Sequence, residues 1–111
     1  DNFGTGTVRA YSVSENGTVA LVTSEYGNSF TYDMNVYSKN GDPKYSKKYQ
    51  SYVRSVCSTG NGVTVLTADK LFIYNSKGET ASARKADTSM LRAVTAGRYT
   101  YIFSIGKIQR V

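Results

Sequence analysis

The chain has 111 residues, of which 40% are hydrophobic and 13% aromatic, enough apolar surface for one globular core and too much for a disordered chain. No apolar run approaches the roughly 20 residues of a membrane-spanning helix. The lone Cys57 excludes an internal disulfide, and with no histidine a zinc site is not expected. The net charge of +6 suits non-specific attraction to nucleic acid, anionic lipid or acidic polymers.

In chain order, residues 1 to 7 align with the stretches preceding two later copies and read as the tail of an outer strand from an earlier unit. Starting at Asp1, with no signal peptide visible, the chain reads as a processed or partial form of a longer polypeptide. Val8 to Ser14 alternates and predicts a strand. Asn16-Gly17 predicts a two-residue hairpin turn of type I′. Thr18 to Ser24, apolar on parts of both faces, predicts a central strand. A longer loop, Tyr26 to Ser29, leads to a strand over Thr31 to Ser38, closed by Lys39-Asn40-Gly41-Asp42. Pro43 then introduces a Lys/Tyr-rich segment up to Ser51, where a proline is tolerated at a strand start or edge.

The plan then recurs. Strands are predicted over Tyr52 to Ser58, Gly62 to Ala68, Leu71 to Asn75 and Thr80 to Lys85, then over Met90 to Ala96, Tyr99 to Ile105 and Lys107 to Val111. Val8-Arg9-Ala10, Val53-Arg54-Ser55 and Leu91-Arg92-Ala93 open the three copies. A second block repeats Val36-Tyr37-Ser38-Lys39-Asn40-Gly41-Asp42 as Ile73-Tyr74-Asn75-Ser76-Lys77-Gly78-Glu79. Copies one and two lie 45 residues apart in the first block and 37 in the second, an eight-residue insertion near Tyr26 to Asp33 accounting for the difference. The repeats run over about residues 8–51, 52–89 and 90–111 of one domain, and the third has three strands where the others have four.

Repeats of this length, rich in short strands, are the mark of β-propeller blades. From Val8 to Val111 the chain resembles the β-propeller superfamily, in the loose group of bacterial propeller-like domains of unknown function, some exported or membrane-anchored. Tyr37 to Asp42 and Tyr74 to Glu79 are similar to the turn between third and fourth blade strands. With no tryptophan and no histidine, the chain departs from the WD-repeat pattern and from quinone-binding propellers, and no ligand set carries over. The expected fold is all-β, with four-stranded antiparallel blades forming a partial propeller or one completed by oligomerisation. In the second case residues 1 to 7 supply the missing strand in this or another molecule, and two chains make a six-bladed ring, a homodimer through strand exchange.

Arg9, Arg54 and Arg92 sit at the start of the innermost strands. Gathered at the mouth of a channel, they suit a carboxylate or phosphate; packed singly, each bridges to a neighbouring blade or faces solvent. Lys44, Lys47 and Lys48, interleaved with Tyr45, Tyr49 and Tyr52, read either as protection of an edge strand or as a polyanion-binding strip, with edge protection the stronger reading and nucleic acid disfavoured. Tyr26, Phe30 and Tyr32 lie in the inserted hairpin and are the aromatics expected to be exposed for a partner. Cys57 reads as a small buried hydrophobe. No spaced carboxylate pair, nucleophile–base pair or cofactor motif is present, so the expected role is a non-catalytic binding or scaffold module needing no cofactor or metal, with a protein or an anionic ligand as partner. An alternative is a part of a larger ligand-binding or enzymatic propeller whose working residues lie in other blades.

Overall fold

The computed structural model describes residues 6–25, 31–86, 89–96 and 99–111. Among these described residues, eleven strands make three antiparallel sheets. The first blade holds β1 (Gly6–Val13), β2 (Val19–Glu25), β3 (Tyr32–Tyr37) and β4 (Pro43–Tyr49) in that spatial order. The second repeats the order with β5 (Val53–Thr59), β6 (Gly62–Thr67), β7 (Lys70–Asn75) and β8 (Thr80–Lys85). The third has β9 (Met90–Ala96), β10 (Tyr99–Ser104) and β11 (Lys107–Arg110). The inner strands β1, β5 and β9 stand side by side, so the sheets fan out from one edge as propeller blades do.

Because side chains alternate across a strand, each blade has two faces. Ala20, Val22, Met34, Val36 and Tyr49 of blade one bury against Val53, Val56, Val63, Val65 and Tyr74 of blade two. The opposite face of blade two buries Leu66 and Leu71 against Ala93 and Ile102 of blade three. Strand β6 is therefore apolar on both faces, as a strand enclosed between two sheets must be. Hydroxyls satisfy main-chain groups across these junctions. Ser58 N–H donates to Ser12 Oγ (2.8 Å), and Ala93 N–H donates to Ser55 Oγ (3.1 Å). Thr64 and Thr95 join their hydroxyls at 2.6 Å, and Thr95 reaches Thr100 at 2.9 Å. Cys57, half-buried, turns its thiol toward the Thr95 carbonyl of the next blade.

Three sequence expectations change. The strand β1 begins at Gly6, so Gly6 and Thr7 belong to the inner strand and not to an outer strand of an earlier unit; residues 1 to 5 lie outside the described residues. The turn at Asn16-Gly17 is not type I′. Gly17 N–H donates to the Ser14 carbonyl, Ser14 N–H donates to the Thr18 carbonyl, and among the described residues only glycines take positive φ. This is a three-residue loop with a glycine in the left-handed position, stabilised by Ser14 Oγ and Asn16 Oδ1 accepting from Thr18 N–H. The same main-chain pattern recurs at Ser38–Asp42 and Asn75–Glu79.

The third change concerns repeat register. In blades one and two a β-bulge skips one residue of the inner strand, Arg9 between Val8 and Ala10, and Arg54 between Val53 and Ser55. In blade three the skipped residue is Leu91, since Met90 pairs with Ser104 and Arg92 with Phe103. Structurally, Leu91 matches Arg54, and Arg92 matches Ser55. Arg92 therefore does not share the repeat position of the other two arginines.

Candidate functional site

Arg9, Arg54 and Arg92 nonetheless meet at one place. A cleft of about 410 Å³ opens at the start of the inner strands, lined by Val8, Arg9, Ala10 and Tyr11 of blade one, Arg54, Ser55 and Val56 of blade two, and Leu91 and Arg92 of blade three. The three inner strands run in the same direction, so their first residues collect at one end of the blade stack. The bulges then turn Arg9 and Arg54 out of the ladder; bulges commonly re-aim side chains in this way next to binding sites.

The three guanidiniums are not alike. Arg9 donates from Nε to Ser24 Oγ at 2.7 Å, which leaves its two terminal nitrogens uncommitted among the described residues. Arg54, half-buried, donates from Nη1 to the Met90 carbonyl at 2.6 Å and ties blade two to blade three. Arg92 is exposed, and no hydrogen bond or ion pair holds it among the described residues. Arg54 thus bridges blades two and three, while Arg9 and Arg92 line the cleft with donors uncommitted among the described residues. Among the described residues the lining contains no carboxylate to neutralise them. Apolar Val8, Ala10, Val56 and Leu91 line the rest of the cleft, which fits an anionic head on a partly apolar body.

The lysines of β4 are not one patch. Alternation puts Tyr45, Lys47 and Tyr49 on the face toward blade two, and Lys44, Ser46 and Lys48 on the other. The Lys47 ammonium lies 4.9 Å from the Tyr74 ring centre, and Lys48 pairs with Asp33 at 3.5 Å on the surface. Two of the three thus have local partners on an outer edge strand. Tyr32, expected to be exposed, is buried on the blade-two side, with its ring edge-on to Tyr52 at 5.7 Å. The reason is register: Tyr32 pairs with Ser24 and Tyr49, which fixes it on the core face. Tyr26 and Phe30 lie outside the described residues.

One constellation carried no signal noticed in the sequence. Tyr45, Tyr49, Phe72 and Tyr74 form an aromatic cluster across the first junction, Tyr49 tilted on Phe72 at 5.6 Å and Phe72 stacked on Tyr74 at 5.9 Å. Burial pushes the Tyr45 hydroxyl up to about 12, helped by Tyr74 nearby. Burial also raises Tyr49, whose hydroxyl donates to Tyr74, and burial raises Tyr74 against the opposing effect of that bond. The even spacing of Tyr45, Lys47 and Tyr49 on a strand was the available clue. Among the described residues no group of three or more His, Cys, Asp or Glu side chains is arranged to hold a metal ion.

Sheets fanned from parallel inner strands, packed face to face, define part of a β-propeller. The chain belongs to the Family of unknown function (DUF5711), whose model matches residues 3–111. No curated protein matches it. Three solved propeller structures are similar in fold. HIRA(644-1017) superposes with a TM-score of 0.70 at 11% identity, over 96% of this chain and 35% of that one. Hsv2 of Kluyveromyces lactis gives 0.65 at 10% identity, over 95% and 32%. BamB from Moraxella catarrhalis gives 0.58 at 13% identity, over 90% and 29%. The chain therefore spans about a third of the length of these propellers.

Proposed function

We propose that this chain is a non-catalytic binding module, taking an anionic group in the arginine-lined cleft at the start of the inner strands. The observation that carries the reading is the convergence of three guanidiniums from three blades on one cleft, two of them with donors uncommitted among the described residues. Guanidiniums bind carboxylate or phosphate through paired N–H donors. The lining offers cations, hydroxyls and apolar groups, which favours holding a ligand over transforming it. The setting that goes with this reading is extracytoplasmic, in an exported or membrane-anchored bacterial protein; its support is the sequence resemblance to domains of such proteins.

The test is calorimetric titration with succinate and with inorganic phosphate at low salt. Saturable binding is expected, weakening as salt rises and falling roughly tenfold on Arg92→Ala, the equivalent of about 1.4 kcal/mol. Equal binding by the wild type and by Arg9→Ala/Arg92→Ala, with the fold intact by circular dichroism, would sink it.

A further inference from the structure

The two outermost faces of the blade stack carry apolar side chains at positions that are buried wherever a neighbouring blade exists. Val56 of blade two is 6% exposed against blade one, while its equivalent in blade one, Tyr11, is 71% exposed. Val13, the equivalent of buried Ser58, is exposed too. On the far face of blade three, Phe103 (37%) and Ile108 (65%) hold the positions of Leu66 (0%) and Leu71 (2%) in blade two. In blade one the same positions are Val22 and Met34, both fully buried. A row closed twice within the chain is open at each end.

We infer that both faces dock further four-stranded blades carried by the same polypeptide beyond residues 1–111, and that the blade following Phe103 presents a small side chain opposite it. Volume complementarity selects this occupant over a second copy of the chain. At the first junction Val22 shares a core with Val56, and at the second the larger Leu66 shares one with the smaller Ala93. Summed volume is thus kept roughly constant, as close packing requires. Phe103 is larger again and calls for alanine or glycine at the Val56/Ala93 position. A second copy would bring Tyr11 there, setting two large rings in a space that elsewhere takes two valines. The similar propellers are about three times as long, and a closed ring takes four to eight blades.

The test uses the complete translated polypeptide with Cys57→Ser and Phe103→Cys, followed by alkylation with iodoacetamide. Protection of the new thiol in the native state, at least a hundredfold slower than in denaturant, is expected. Labelling at the denatured rate in a polypeptide that is folded by circular dichroism overturns the proposal, as does a reading frame holding no further blades. Light scattering of the 111-residue chain supplies the other arm. A discrete species of twice the 12.2 kDa mass, returned to monomer by Phe103→Glu, assigns the face to a second copy and overturns the proposal as well.

Discussion

The Tyr49 hydroxyl on β4 donates to the Tyr74 hydroxyl on β7 at 2.8 Å, joining the outer strand of blade one to the third strand of blade two. Four residues earlier on the same face of β4, the Tyr45 hydroxyl is buried and finds no hydrogen-bond partner among the described residues. The two tyrosines therefore respond in opposite directions to loss of a hydroxyl. Tyr49→Phe leaves a buried oxygen without its donor and destabilises by about 1 kcal/mol. Tyr45→Phe removes a desolvated group that gains nothing from the fold, and stabilises by about 1 kcal/mol. Urea unfolding of the two variants beside the wild type measures both; shifts of the same sign would refute the assignment.

The same cluster sets an alkaline limit. Tyr45, Tyr49 and Tyr74 all have folded pKa values above the ordinary tyrosine value of about 10, because burial disfavours the phenolate. The folded state thus holds these protons more tightly than the unfolded chain does. The stability they contribute is whole below about pH 10 and is lost as pH rises through 12, the value for Tyr45. Circular dichroism followed together with tyrosinate absorbance should show ionisation of these groups coinciding with cooperative unfolding. Full ionisation of all tyrosines with native dichroism intact is the contrary outcome.

The blades were legible in the sequence because their causes are local. Alternation, β-branched runs and glycine turns mark each strand, and the repeat of Val36–Asp42 as Ile73–Glu79 marks the blade. The repeat places Arg9 and Arg54 at equivalent bulges, whereas Arg92 lines the same cleft from the next position along its strand. What the letters hid was set by pairing. Leu91-Arg92-Ala93 reads like Val53-Arg54-Ser55, yet the bulge falls on Leu91, because that choice lets Ala93 and Ile102 face Leu66 and Leu71 across the junction. Tyr32, expected to be exposed because it belongs to the inserted hairpin, is placed in the core by its pairing with Ser24 and Tyr49. The split of the three lysines between two faces was within reach of a period-two reading of Tyr45 to Tyr49.

Gly41 and Gly78 occupy equivalent turns and share a φ of +86°, so alanine is strained at both by about 1 kcal/mol. Their surroundings differ. A Cβ on Gly41 meets open space, whereas one on Gly78 falls 2.7 Å from Cγ of the Tyr45 ring. Gly78→Ala should therefore cost about 2 kcal/mol more than Gly41→Ala, through displacement of a ring packed at the first junction. Thermal unfolding of both variants gives the comparison. Repeating Gly78→Ala on a Tyr45→Ala background should abolish the excess, and an undiminished excess would show that the ring is not its cause.

Arg54 and Arg92 separate structure from ligand within one cleft. Arg54 gives a charge-assisted bond of 2.6 Å to the Met90 carbonyl, at the point where β9 begins, and that carbonyl sits in a part-buried contact. Arg54→Ala removes the donor and loosens blade three, at a cost of about 2 kcal/mol. Arg92 is exposed and makes no such bond among the described residues, so Arg92→Ala should leave stability within about 0.5 kcal/mol of the wild type. Phosphate and succinate affinity should follow the reverse order at matched folding, since Arg92 is exposed with its donors uncommitted among the described residues and Arg54 is already engaged with blade three. Unfolding midpoints together with anion titrations on both variants decide the matter. If Arg92→Ala destabilises as much as Arg54→Ala while anion affinity is unchanged, the arginines at this end of the inner strands only hold blades together.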